Sequence, residues 1–445
     1  MPELTLPQKL AQMDADRIRD YRENLDFYNG VQWLGASRRR ERRLTLNYAK
    51  TFVDKITSYL MAELSFNLEP LDTSDESKER ARQAELTLHE VYQFNNLKQL
   101  DFDTELDTAI LGDGAYKVTW DTQEQQVRVS APDVQGLFAW WVGDDVGRVW
   151  RVASRYKLSA EEIEQLYGMK APTSGRNWTS INAKKESTVV EVWTASRFEL
   201  WIDDILLEEK PNPYGFIPFV IYPNLREPKK FWGVSDIPAI MEPARELNRA
   251  LSQLSMILEL SGNPIAVLEN IESAQDIAVQ PGAVWELPER AKAYLLDLLQ
   301  GGGVRLHTDY IDLIYRAIHD LSETPRTSFG DNRQGLSGIA LEMEMNPLIQ
   351  KVKRKRLIRG AVYSRRSDMI LRILEQKRGL KLRPLRYETV WGSVLPQDRG
   401  RLVQEEETLV KAGIHSRRRA MDTLGVPDPQ SEFQQWLEEE EKLGS

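Results

Sequence analysis

Four carboxylates crowd one short run of this sequence, Asp101, Asp103, Glu105 and Asp107 in DFDTELD. On a helix Asp103 and Asp107 share a face and could bridge a divalent cation, which is the chemistry of a metal-dependent nucleic-acid-processing enzyme. The plainer reading is acidic decoration of a solvated first turn, where the helix dipole favours carboxylates. No distant carboxylate motif joins the four. The chain has no cysteine, and His89, His307, His319 and His415 are its only histidines. No two of them stand three or four residues apart, so neither thiolate nor paired-imidazole metal sites are expected.

A second stretch invites a functional reading. Residues 324–338 read TPRTSFGDNRQGLSG, polar and punctuated by Gly330, Gly335 and Gly338 between two helical patterns. Long loops inside compact structures are usually functional or disordered. A phosphate-cradling loop needs Gly-Lys-Ser/Thr after a strand; this stretch lacks the lysine and follows a helix, and Gly301–Gly303 fails the same test. Two basic runs could contact phosphates, Ser37–Arg43 (SRRRERR) and the helix 351–378. For both, a solvated or subunit-facing ion-paired surface competes with that role. Trp140 and Trp141 could stack bases, but in a β-rich region such pairs are more often core or interface. Asn177–Thr179 is formally a glycosylation acceptor without a secretory signal to support it. No acid, base and nucleophile assemble, so the sequence reads as mechanical: not an enzyme, with no cofactor and no metal.

The elements that would position these residues follow from composition and period. At 445 residues the chain is long enough for two to four domains, and 41% hydrophobic with 29% charged residues is ordinary for a folded protein. The net charge of −9 argues against a general nucleic-acid binder. That charge is uneven. Lys351–Arg378 holds eleven Lys or Arg against Asp368 and Glu375, whereas the chain closes on Glu438–Glu441. The N-terminus has no basic-then-apolar signal and no run is long enough to span a bilayer, so a protein assembled inside a cell is expected.

Residues 1–70 read mainly as helix, with Val53, Ile56, Leu60 and Leu64 forming an apolar stripe. A polar break over 71–79 precedes a helix to about Phe94, and a third helix is predicted over 99–111, stopped by Gly112 and Gly114. Residues 115–221 change to short β-branched and aromatic runs, a region of antiparallel strands with a small helix near Ala160–Tyr167. Two heptad seams follow. The first runs through Ile237, Ile240, Ala244, Leu247, Leu251, Leu254 and Leu258, with Pro243 expected to kink or restart it. The second runs through Leu306, Tyr310, Leu313, Ala317 and Leu321. Between them NPIAVLEN and GAVWELP read as strands and ERAKAYLLDLL as a short helix. After the polar stretch comes one very long helix with a kink expected at Pro347, then a strand in RPLRYETVW and two or three helices.

This order resembles the portal (head–tail connector) proteins of tailed bacteriophages. LDFYNGVQW resembles that family's early Tyr-x-Gly segment, and LNYAKTFVDKITSYLMAELSF its Asn-led helix. LDTAILGDGAYKVTWD is similar to the helix–Gly–Ala-Tyr–strand passage, and LSGIALEMEM to the step after the channel loop. LPQDRGRLVQEEETLVKAGIHSRRRAMDTLGVPDP resembles the closing region. The resemblance implies a mainly helical α+β portal fold. Residues 1–235 and 337–378 would be the α/β wing, including a long kinked helix, and 236–261 and 305–323 the two stem helices. Residues 262–304 would form a small α/β clip, 324–336 a tunnel loop and 379–445 a helical crown. It also implies a homo-oligomeric ring, usually a dodecamer, in the virion at one capsid vertex, assembled in the host cytoplasm. Double-stranded DNA would be packaged and ejected through its channel. The expected partners are the terminase large subunit as ATPase motor, major capsid and scaffolding proteins, and a head-completion adaptor, with no membrane.

Under that resemblance Thr327, Ser328, Phe329, Asp331, Asn332, Arg333 and Gln334 would line the channel, with Gly330, Gly335 and Gly338 as hinges. Leu247, Leu251, Leu254, Leu258, Tyr310 and Leu313 would pack the stem. A channel that lets DNA slide must not hold phosphates, so a polar loop with Arg326 and Arg333 as its only cations suits it. Lysines at Ser328 and Asn332 are then expected to spare ring assembly and slow packaging. Phe329 is the apolar candidate for the narrowest point, with burial against the stem as its alternative. The other function classes are the metal-dependent enzyme built on Asp101, Asp103 and Asp107, and a capsid adaptor or scaffold that conducts nothing.

Overall fold

The computed structural model describes residues 4–37, 42–62, 64–168, 186–262, 265–270, 290–296, 303–331, 338–394, 399–426 and 429–443. In chain order, helices α1 (Leu6–Gln12), α2 (Ala15–Tyr28) and α3 (Tyr48–Leu60) precede strand β1 (Leu64–Glu69), and α4 (Asp75–Phe94) and α5 (Leu97–Leu111) follow. The β-rich region contains β2 (Asp113–Asp121), β3 (Gln126–Ser130), β4 (Leu137–Val142), β5 (Asp145–Ser159), α6 (Ala160–Tyr167), β6 (Glu186–Thr194), β7 (Arg197–Ile202), β8 (Ile205–Pro211) and β9 (Phe219–Pro223). Then come α7 (Pro238–Gly262), β10 (Ile265–Glu269), β11 (Lys292–Leu296), α8 (Gly303–Ser322) and α9 (Gly338–Arg378). The chain closes with β12 (Arg386–Trp391), α10 (Arg399–Lys411), α11 (Arg417–Thr423) and α12 (Pro429–Leu443). It is a mixed α+β chain, mainly helical. Two compact units are present, Met1–Met61 with Phe66–Val390, and Ala62–Ser65 with Trp391–Ser445.

Local chemistry starts these helices where the sequence suggests. The Asn47 side chain accepts from Lys50 N and opens α3, whose Phe52, Val53, Ile56 and Leu60 are buried on one face. Ser74 caps α4, and Ser159 with Glu162 forms a reciprocal capping box on α6. Gly112 closes α5 at φ +109°, and a Cβ there would stand 2.9 Å from Ser235 N, so both its backbone and its neighbours demand glycine.

Strands β3-β2-β9 form one antiparallel sheet and β4-β5-β6-β7-β8 another. Leu10 and Ile18 from the first two helices pack on Phe138, Ala153, Val190 and Val192 of the larger sheet. The smaller sheet carries α5 and α9 against β2 and β9. At about 1.5 Å per residue, the 41-residue α9 runs for about 60 Å.

Two sequence expectations change here. Pro243 does not restart the first seam, because α7 continues through it. The helix expected from ERAKAYLLDLL is wrong over Lys292–Leu296, which is a strand pairing antiparallel with β10 from Ile265↔Leu296 to Glu269↔Lys292. A partner edge distant in sequence overrides the helical propensity of a five-residue run. The GAVWELP segment lies outside the described residues, as does Asn177–Thr179.

Candidate functional site

The polar stretch begins as a packed turn. After α8 ends at Ser322, Thr324 N donates to His319 O (3.1 Å) and Thr324 Oγ1 to Ser322 O (3.1 Å). A short 3-10 turn over Arg326–Phe329 follows, in which Ser328 N and Oγ both donate to Pro325 O. Gly330 ends it at φ +86°, a backbone geometry that favours glycine. Thr327 Oγ1 donates to Glu344 on α9 (3.1 Å). The Arg326 guanidinium lies over the Tyr315 ring and stands 3.7 Å from Asp312 and 3.3 Å from Asp331.

Under this turn lies an aromatic cage. Phe329 meets Phe52 edge-on at 5.2 Å and His319 at 5.6 Å. His319 also packs edge-on against Phe52 and Tyr315. Its Nδ1 is 2.6 Å from Thr324 O, so the neutral ring donates there, and buried Nε2 has no hydrogen-bond partner among the described residues. Burial holds the His319 pKa below its ordinary value, with Arg326 acting in the same direction.

These positions separate the expected channel residues. Ser328 is buried and Phe329 packs inside its own subunit, whereas Gly330 and Asp331 are exposed. Phe329 is half-buried, against Phe52 and His319. A lysine at Ser328 would enter a buried position. Asn332, Arg333, Gln334 and Gly335 lie outside the described residues, and Gly338 is the first residue of α9.

The turn is anchored by α9 through buried charge. Lys351 Nζ donates to Ser322 O at 3.0 Å, at the carbonyl end of α8, and stands 3.0 Å from Asp236 Oδ1 just before α7. Lys355 binds the other Asp236 oxygen. One turn further, Arg359 holds Glu105 (2.9 Å) together with the Asn224 carbonyl (2.6 Å), and Arg366 holds Asp101 among the rings of Tyr92, Tyr116 and Tyr363. Burial alone would raise the Asp236 pKa, but Lys351 and Lys355 more than reverse this and keep the carboxylate well below its usual range. Burial pulls Lys355 down to about 8 against the opposing pull of Asp236. The Arg366 pKa is raised well above normal, since Asp101 outweighs desolvation.

Both charge-based expectations are thereby corrected. The solvated-decoration reading of the acidic quartet fails for two of its members: Asp101 and Glu105 are buried and taken up by arginines, while Asp103 faces out and accepts from Gln99. Among the described residues no three metal-ligating side chains converge. The basic helix is not simply a solvated or inter-subunit face, because Lys351, Lys355, Arg359 and Arg366 are buried in their own subunit. The missed signal was spacing, four, four and seven residues between cations on one helix, matched by four between Asp101 and Glu105 on another. Trp141 stacks on Phe231 at 4.9 Å and Arg151 covers Trp140, so neither indole is a bare platform.

The α7–α8 pair splits the expected packing residues. Leu247 is buried and Leu251 and Leu254 half-buried, but Leu258, Tyr310 and Leu313 are exposed, and α8 turns Ile314 and Ile318 inward instead. A subunit that spends its isoleucines on its own core and leaves a leucine row outside is built to meet another surface. A family model described as phage portal protein, SPP1 Gp6-like, matches residues 8–444. The chain belongs to this family. Portal proteins are structural components of the phage head–tail connector at a capsid vertex, serve genome packaging, and typically form dodecameric rings. No curated protein matches this portal chain. Among the described residues of the portal subunit, no helix is long and apolar enough to cross a membrane.

Proposed function

We propose that this portal subunit forms a ring that conducts double-stranded DNA into and out of the capsid, with the stretch after α8 at the throat. Residues 1–235 and 337–378 then form the wing, α7 and α8 the stem, 262–304 the clip and 379–445 the crown. The clip docks the terminase motor and later the head-completion adaptor, and the crown faces the capsid interior.

The observation that carries this reading is the neutralisation of Arg326. A passage for DNA must avoid gripping phosphates, since every phosphate neutralised by a cation adds a counterion-release term that must be undone as the strand moves. Arg326 stands between Asp312 and Asp331, so the turn offers polar contact with its guanidinium charge already offset by two carboxylates. Asp331 is the exposed partner in that arrangement. Asp331→Lys both releases Arg326 and adds a cation, and is expected to leave ring assembly intact while slowing packaging severalfold at low salt. Packaging at the wild-type rate with intact rings contradicts the channel assignment of this turn, and loss of rings makes the turn an assembly element.

A further inference from the structure

Residues 31–37 and 42–46 form a strap that closes on itself and lies along α7. Trp33 Nε1 donates to Thr45 Oγ1 (3.0 Å), and Arg43 donates to the carbonyls of Gly35 and Ala36. The strap is tied to α7 through Arg245 Nε to Gln32 O (3.3 Å), Leu46 N to Asn248 Oδ1 (2.8 Å), Leu44 N to Ser252 Oγ (2.9 Å) and the Arg42–Glu259 pair (2.9 Å). Helical periodicity places Arg245, Asn248, Ser252 and Glu259 on one face. Glu246, which accepts from Tyr310 on α8, points roughly 130° away from it. Helix α7 is therefore covered by α8 on one side and by the strap on another.

Each cover carries apolar side chains that its own subunit leaves in solvent. On α8 these are Leu306 (74% exposed), Leu313 (63%) and Leu321 (51%), seven and eight residues apart and so on one face. On the strap they are Val31 (64%) and Leu34 (72%). The charges lean the same way: α8 has Asp309, Asp312 and Asp320 against Arg305 and Arg316, a slight negative excess, while the described strap carries Arg42 and Arg43. Closing a ring head to tail requires two different faces on each copy, and these two lie on separate sides of one helix.

We propose that the leucine row of α8 in one copy seats on the strap of the next, against Val31 and Leu34. The strap, and not α7, is then the surface that meets the neighbouring helix pair. This rests on the ring reading above and names the faces that close it. A second copy of this chain is the occupant.

The absence of cysteine makes the test clean. The full chain carrying both Leu34→Cys and Leu313→Cys is assembled under reduction, checked for rings by native mass spectrometry, then oxidised and run without reductant. A ladder of covalent oligomers from the double variant, with monomers from each single variant, is expected. Rings that give no ladder overturn the strap contact while leaving the ring reading standing. Covalent dimers from a single variant overturn it too, since they mark a face meeting itself. A wild-type chain that stays monomeric contradicts the ring reading and removes the basis of this one. As a measurement free of cysteine chemistry, Leu34→Asp and Leu313→Asp should each raise the concentration for half-assembly at least tenfold with the monomer's unfolding midpoint unchanged. Unchanged assembly in either variant overturns the proposal.

Discussion

Lys351 Nζ lies 3.0 Å from Asp236 Oδ1 and 3.0 Å from Ser322 O, so one buried lysine on α9 ties the start of α7 to the end of α8. The lysine charge also faces the negative end of the α8 dipole, which favours a cation there. One side chain reaching two helix ends thus contributes to the pose of the proposed stem on the rest of the subunit.

Replacing that lysine tests the tie. Lys351→Met keeps the apolar stem of the side chain and removes the charge-assisted bonds, which contribute about 2 kcal/mol. Lys355 still holds Asp236, so the fold should survive with that loss in urea unfolding. Amide exchange at Glu323 and Thr324 should accelerate more than exchange in β2. Uniform acceleration throughout the subunit would show that Lys351 is not a local tie.

The Arg359–Glu105 pair is fully buried. Glu105→Ala leaves Arg359 buried and uncompensated, a destabilisation of about 3–5 kcal/mol. Combining Glu105→Leu with Arg359→Met should recover part of that loss, with unmet hydrogen bonds at Tyr222 and Asn224 limiting the recovery. Chemical denaturation of the three variants checks the order.

Asp113 sets a pH dependence. Burial raises its pKa to about 6, against the opposing bonds from Tyr21 and Gly233 N. A carboxyl raised on folding binds more protons in the native state between its unfolded value, about 4, and its folded value. Its destabilising contribution is therefore complete above pH 6 and fades as pH falls towards 4. Wild type should gain stability relative to Asp113→Asn when both are moved from pH 7.5 to 4.5. A difference between the two proteins that does not change with pH contradicts this.

His319 acts in the opposite direction. Its pKa is lowered on folding, so the stability it contributes is present above the ordinary histidine value and lost as pH falls through it. Protonation would charge a ring caged by Phe52, Tyr315 and Phe329. Corrected amide exchange over Thr324–Gly330 should rise between pH 7.5 and 5.5 in wild type and much less in His319→Gln.

Much of this fold was legible in the sequence because its signals are local. Asn47, Ser74 and Ser159 mark helix starts through their own side chains, and α4 ends at Phe94 and α6 at Tyr167 as the apolar period requires. Elements set by remote partners were harder to read. The KAYLL run becomes a strand because β10 offers it an edge. The α8 seam was read from Leu306, Tyr310, Leu313 and Leu321, yet the subunit's own packing uses Ile314 and Ile318. Periodicity finds apolar faces but does not say which partner each face meets. The buried cations of α9 misled for a related reason: charge suggests solvent until the opposing Asp101, Glu105 and Asp236 are brought to it by the fold. At the polar stretch, glycine and polar composition marked a turn, but the Phe329–Phe52 contact spans 277 residues and leaves no local trace.

The central claim is that copies of this chain encircle a channel with the turn after α8 at its inner wall. Electron cryomicroscopy of the purified chain tests it most directly, with a gold label on Asp331→Cys to locate the turn. The account predicts closed annular particles, typically of twelve subunits, with the label density near the axis. A monodisperse monomer, or rings with the label on the outer rim, would contradict it.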